Sequence, residues 1–144
     1  MGTADYIAPE AIKGEEVSNM FDIWSLGVIG YQLLIGKLPF NDSSWEKVRE
    51  RILNQELEWP KPGYEKNKLP PVALDFLQQL LVRDPKKRLG AKYGIEELKK
   101  HPFFEGINWE TLIQDPVPWY PVSSRQPKYE YFPNATDEGL NMLY

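Results

Sequence analysis

The 144-residue chain contains no cysteine, which removes disulfides, thiolate nucleophiles and thiolate metal sites together. A reducing intracellular home, the cytoplasm, fits that absence. Histidine occurs once, as His101 before a proline at the end of a helical pattern, so a structural role is expected for it over general acid–base work. No long basic run is present, and 17 Lys and Arg are outnumbered by 21 Asp and Glu. That balance gives no footprint for nucleic acid and no polybasic surface for a membrane. The first six residues lack the basic start and apolar run of a secretory leader. The Asn134-Ala135-Thr136 sequon is set aside with it, since glycosylation matters only in a secreted chain. No repeats occur.

What is present is enough for one core. An apolar share of 42% with 13% aromatic residues argues against disorder of the whole chain. The strongest element runs from Phe21 to Ile35, with Ser18 or Asn19 as caps and Gly36 as the stop. It is apolar nearly all round, and its length decides for helix over strand. A membrane span needs roughly 20 uncharged residues, whereas this run is shorter and carries Asp22, so a helix buried inside protein is expected.

A second helix opens at Ser43-Ser44-Trp45-Glu46, where a hydroxyl and a carboxylate three residues on suggest a capping box. Trp45, Val48, Ile52 and Leu53 then share a face. Pro70-Pro71 introduces a third helix through Val72, Leu74, Phe76, Leu77, Leu80 and Leu81, ended by Arg83-Asp84-Pro85. A short fourth lies around residues 95–100 and stops at Pro102, and Trp59-Pro60-Lys61-Pro62-Gly63 is a loop. From Gly106 the pattern changes to prolines at 116, 118, 121, 127 and 133 among Trp119, Tyr120, Tyr129, Tyr131 and Phe132. Proline at that density precludes a long helix, and such a tail needs a surface to lie on.

Gly2-Thr3-Ala4-Asp5-Tyr6-Ile7-Ala8-Pro9-Glu10 resembles the end of a protein-kinase activation segment, the Ala-Pro-Glu signature preceded by the Gly-Thr of serine/threonine kinases. Alone it would mean little. It is followed by Asp22-Ile23-Trp24-Ser25-Leu26-Gly27, Leu38-Pro39-Phe40, Asp84-Pro85-Lys86-Lys87-Arg88-Leu89-Gly90 and His101-Pro102-Phe103-Phe104, in kinase order at kinase-like spacing. The stretch His101 to Glu110 is similar to the exit from the last helix of AGC-group kinases, and Val117-Pro118-Trp119-Tyr120-Pro121 to the start of their C-terminal tail. Within that group the microtubule-associated and related large kinases are most similar. The chain departs from the group by ending without a clear Phe-x-x-Phe motif.

The resemblance implies a mainly α fold: a partial kinase C-terminal (large) lobe over residues 1–105, followed by an irregular extended tail over 106–144. It implies a parent enzyme that transfers the ATP γ-phosphoryl group to protein Ser or Thr with Mg2+. The Gly-rich loop, the nucleotide lysine, the His-Arg-Asp loop and the Asp-Phe-Gly metal site are all missing from this sequence. The chain alone is therefore expected to be inactive and to bind no ATP, its partners being a protein substrate and the N-terminal part of the kinase domain.

By the same resemblance, Gly2, Thr3, Asp5 and Tyr6 belong to the substrate-binding face, with Thr3 orienting the absent catalytic Asp and Tyr6 in the pocket for the residue after the phosphoacceptor. Asp5 could favour a substrate arginine, yet the second acid of many basophilic kinases is Gln32 here, and an amide cannot neutralise a guanidinium. Glu10 and Arg88 are expected to form a buried ion pair, against the bland alternative of two surface charges. Asp22 would reach the catalytic loop, and Trp24 and Gly27 are structural. The first long helix should have one side uncovered, because the family segments that wrap it precede the motifs found here. A non-catalytic binding or scaffold module derived from such a lobe is the alternative function.

Overall fold

The computed structural model describes residues 4–16, 18–59 and 69–116. Gly2, Thr3, the loop from Pro60 and the tail from Val117 lie outside the described residues. The chain divides into two compact units, one ending at Trp109 and the other beginning at Glu110. The first is helical: a 3-10 turn Ala4–Tyr6, then α1 Pro9–Ile12, α2 Met20–Ile35, α3 Trp45–Asn54, α4 Pro71–Leu80, α5 Ile95–Lys99 and a 3-10 turn Pro102–Phe104. No strand occurs among the described residues, and none of their helices is long and apolar enough to cross a membrane.

Helix α2 starts one residue before the predicted run. The Ser18 hydroxyl accepts the Met20 N–H at 3.2 Å, while Asn19 offers no side-chain cap. Gly36 ends it at φ +83°, a left-handed geometry that glycine adopts without a Cβ penalty. Helix α3 corrects the expected box by one position: Ser44 is the cap, accepting from the Lys47 N–H at 3.4 Å. Three residues after Ser44 stands a lysine, so no carboxylate closes the reciprocal bond. Val48 and Ile52 are buried as the pattern requires, but Trp45 is exposed and Leu53 only partly covered. Helix α4 takes Pro71 at its first turn and ends at Leu80, ahead of Arg83.

Two apolar clusters meet on α2. Trp24, Val28 and Tyr31 join Ala8, Phe40, Val48, Ile52 and Leu81 in one, and Met20 and Ile23 join Phe76, Leu80, Leu89 and Leu98 in the other. Helix α4 crosses α2 closely because Gly27 and Gly30 face it. A Cβ at Gly27 would lie 2.9 Å from Leu81 Cδ2 and one at Gly30 2.9 Å from Leu77 Cδ2. Another face of α2 is exposed: Leu26, Ile29 and Leu33, spaced three and four apart, are 40%, 44% and 80% exposed.

Candidate functional site

The residues of the Ala-Pro-Glu block are placed by α1, whose first turn puts Glu10 inside the unit with a side chain 1% exposed. Seventy-eight positions on, Arg88 is held by the turn that Asp84 closes, where its carbonyl accepts the Lys87 and Arg88 N–H groups and its carboxylate the Lys86 N–H. The two meet as a fork: Nη1 donates to Oε1 at 2.7 Å and Nη2 to Oε2 at 2.9 Å. Nε donates to the Val82 carbonyl, Nη1 also to Met20 and Nη2 also to Arg83. All five guanidinium donors are thereby used, as burial of the charge demands.

Trp24 completes this cluster, with the Arg88 guanidinium 5.2 Å from the centre of its ring and Phe40 stacked on it at 5.8 Å. Its indole N–H is buried and meets no hydrogen-bond partner among the described residues. Burial raises the Glu10 carboxyl, but hydrogen bonds from Arg88 and from its own backbone, with the fields of Arg88 and Lys13, outweigh that and hold it below its usual value.

The other predicted residues lie elsewhere. Asp5 is buried in the first 3-10 turn, and Tyr6 beside it packs its ring on the Trp24 cluster. The Tyr6 carbonyl accepts from the Ser25 hydroxyl at 3.0 Å, and the Tyr6 hydroxyl donates to Gln32 Oε1 at 3.0 Å. Asp22 is exposed on α2. No three acidic or imidazole groups converge among the described residues, Glu10 is committed to Arg88, and Asp22 stands alone.

One polar residue was not legible in the sequence. Arg83 donates to the carbonyls of Arg51, Ile52 and Gln55, closing the C-terminus of α3, with its guanidinium 5.9 Å from the Phe40 ring centre. Only a cation near a helix end in space, 28 or more residues away in sequence, could have signalled it. His101, 7% exposed, accepts the Phe103 N–H through Nδ1 and faces the Asp75 carboxylate through Nε2 at 3.1 Å, which is structural as expected.

Comparison with known proteins gives the family. Residues 1–104 match the family described as protein kinase domain. Serine/threonine-protein kinase cek1 of Schizosaccharomyces pombe is 37% identical over 141 residues, 98% of this chain and 10% of its own. RIM15 of Saccharomyces cerevisiae, also a serine/threonine-protein kinase, is 38% identical over 91% of the chain and 8% of its own length. The probable serine/threonine protein kinase IRE4 of Arabidopsis thaliana is 39% identical over 96% of the chain and 13% of its own length. The chain thus spans about a tenth of the length of these curated relatives. It belongs to the protein serine/threonine kinase family.

Proposed function

We propose that this chain supplies the peptide-positioning loop and helical core of an ATP-dependent protein kinase that phosphorylates Ser or Thr, the catalytic loop and ATP-binding lobe belonging to the remainder of that enzyme. One observation carries the reading. The Ala-Pro-Glu block is locked through Glu10 to Arg88 and Trp24, so three separate sequence motifs meet at one buried charge, which fixes the backbone that follows Thr3 and Tyr6. In this reading Gly2, Thr3, Asp5 and Tyr6 face the substrate, and Thr3 orients the catalytic Asp. Asp22 awaits the catalytic loop, and the bare stripe of α2 is covered by lobe segments outside this sequence. Residues 106–144 are the start of an AGC-type tail.

The test is calorimetric. The purified chain should show no Mg-dependent ATP binding, because the groups that cradle phosphate and metal are missing. Micromolar binding by the chain alone would overturn the assignment of roles. In the whole kinase, Thr3→Ala should lower kcat far more than it raises KM, since an orienting contact acts in the transition state.

A further inference from the structure

The single histidine of the chain sits inside an aromatic stack, its side chain 4% exposed and its ring 5.0 Å from that of Phe76. Phe103 stacks on Phe76 at 4.8 Å, Phe104 meets both rings edge-on, and Trp109 packs on Phe104 at 5.0 Å. The 3-10 turn Pro102–Phe104 sets these rings. Its backbone is tied by the N–H groups of Phe104, Glu105 and Ile107, which donate to the carbonyls of His101, Pro102 and Phe104. The Phe103 N–H goes to the imidazole instead, donating to His101 Nδ1 at 3.1 Å. Nδ1 therefore carries no proton. The neutral ring holds its hydrogen on Nε2, which faces Asp75 Oδ2 at 3.1 Å. Gln79 Nε2 donates to the same oxygen at 2.8 Å and lies 3.3 Å from the imidazole Nε2 as a neighbour, since both nitrogens bear hydrogen.

We infer that His101 is a pH-sensitive latch on this turn: a proton taken from solvent at Nδ1 occupies the lone pair that accepted the Phe103 N–H, and releases the turn that seats Phe103, Phe104 and Trp109. The imidazolium has two donors and no acceptor, so Nδ1–H and the Phe103 N–H then face each other. Imidazole ordinarily changes charge between about pH 5 and 8, which places the switch on the acid side of neutrality. The charged groups around the ring are of both signs. Asp75 of α4 meets Nε2, while Lys99 and Lys100 at the end of α5 and Glu105 after the turn line the surface hollow that reaches it. The two acids attract a charge on the ring and the two lysines repel it, so the surroundings do not exclude the imidazolium. The neutral form holds the latch closed, and closure is lost as pH falls.

The experiment is hydrogen exchange read by mass spectrometry on the whole kinase that contains this chain, corrected for the intrinsic pH dependence of exchange. Protection of the fragment spanning residues 101–109 should fall about tenfold or more between about pH 7.5 and about pH 5.5, the scale of one lost hydrogen bond with its donor left facing another. A fragment from α2 should keep its protection over the same range. His101→Asn offers a carbonyl oxygen near the place of Nδ1 and takes up no proton, so its 101–109 fragment should stay protected at both pH values. Asp75→Asn keeps an acceptor for Nε2–H but removes a charge that attracts the proton, so its loss of protection should move to lower pH. Constant protection in the parent, an equal loss in His101→Asn, or a loss shared by α2 would overturn the inference. Should His101→Asn be unprotected at both pH values, Asp75→Asn decides: a lower midpoint supports the latch, and a midpoint at the parent value overturns it.

Discussion

The two flanks of α2 are built on opposite terms. Toward the interior, Trp24, Gly27, Val28 and Tyr31 are covered, and the charge that enters with Arg88 meets an acceptor for every donor. Outward, Asp22, Leu26, Ile29 and Leu33 are exposed, Leu33 most of all. The inner flank shows that a buried ion pair is sustainable when backbone carbonyls finish the job that one carboxylate begins. The outer flank carries apolar residues that an isolated surface helix has no physical reason to keep. Together they say that the Arg88 charge is fully met inside the unit, while α2 carries more apolar surface than its described neighbours cover.

The sharpest way to break that comparison is at the ion pair. Glu10→Ala or Arg88→Ala leaves one charge buried without its fork, so each should cost roughly 3–5 kcal/mol in denaturant melts of the whole kinase. The double variant should cost much less than the sum. Additive losses would mean that the two residues act separately. The pair also has a pH signature. Because the folded state holds the Glu10 carboxyl below its usual value of 4.5, its contribution is complete above that pH and is lost as pH falls through the lower folded value. Stability should therefore decline on the acid side in the parent protein, and that part of the decline should vanish in Glu10→Gln.

A smaller effect is expected where α4 crosses α2. A methyl at Gly27 would meet three side-chain atoms of Leu80 and Leu81 at 2.9–3.0 Å, and one at Gly30 only the Leu77 Cδ2 at 2.9 Å. Overpacking of this kind costs typically 1–3 kcal/mol. Gly27→Ala should thus lie toward the upper end and Gly30→Ala toward the lower, because one leucine tip can turn aside more easily than two neighbours. Equal melting temperatures for both variants and the parent would show that α4 is free to shift outward.

How much of this was open to a reader of the sequence follows from the range of each interaction. Helix α2 was legible nearly to the residue, since its caps and its Gly36 stop are local. The start of α3 was off by one because two adjacent serines compete for the same cap, and only backbone geometry chooses Ser44. Periodicity put Trp45 and Leu53 on the buried face, but which part of an amphipathic face is covered depends on the neighbour, and α3 buries only Val48 and Ile52. The Glu10–Arg88 pair was reachable through the resemblance alone, because nothing in composition links residues 78 apart. Arg83 was missed for the same reason: its three acceptors are carbonyls, which every residue has.

The last and smallest effect tests the outer flank. Leu33 is 80% exposed and Ile29 44%, so replacing them by glutamine removes less buried area in the separate chain than it would in a covered helix. Surface changes of that sort stay within about 0.5 kcal/mol, and the melting temperature of the chain should hardly move. Binding of a hydrophobic dye should fall, because the stripe that attracts it is interrupted. In the whole kinase the same two substitutions should behave oppositely. If lobe segments cover α2 there, each residue is buried and its loss forfeits roughly 1.5–3 kcal/mol, a visible drop in stability. The contrast between a silent pair of substitutions in the chain and a costly pair in the kinase isolates the covering contact without needing to see it. Equal, near-zero effects in both proteins would show that the outer flank of α2 is a free surface in the whole enzyme, and the proposed cover of the helix would have to be abandoned.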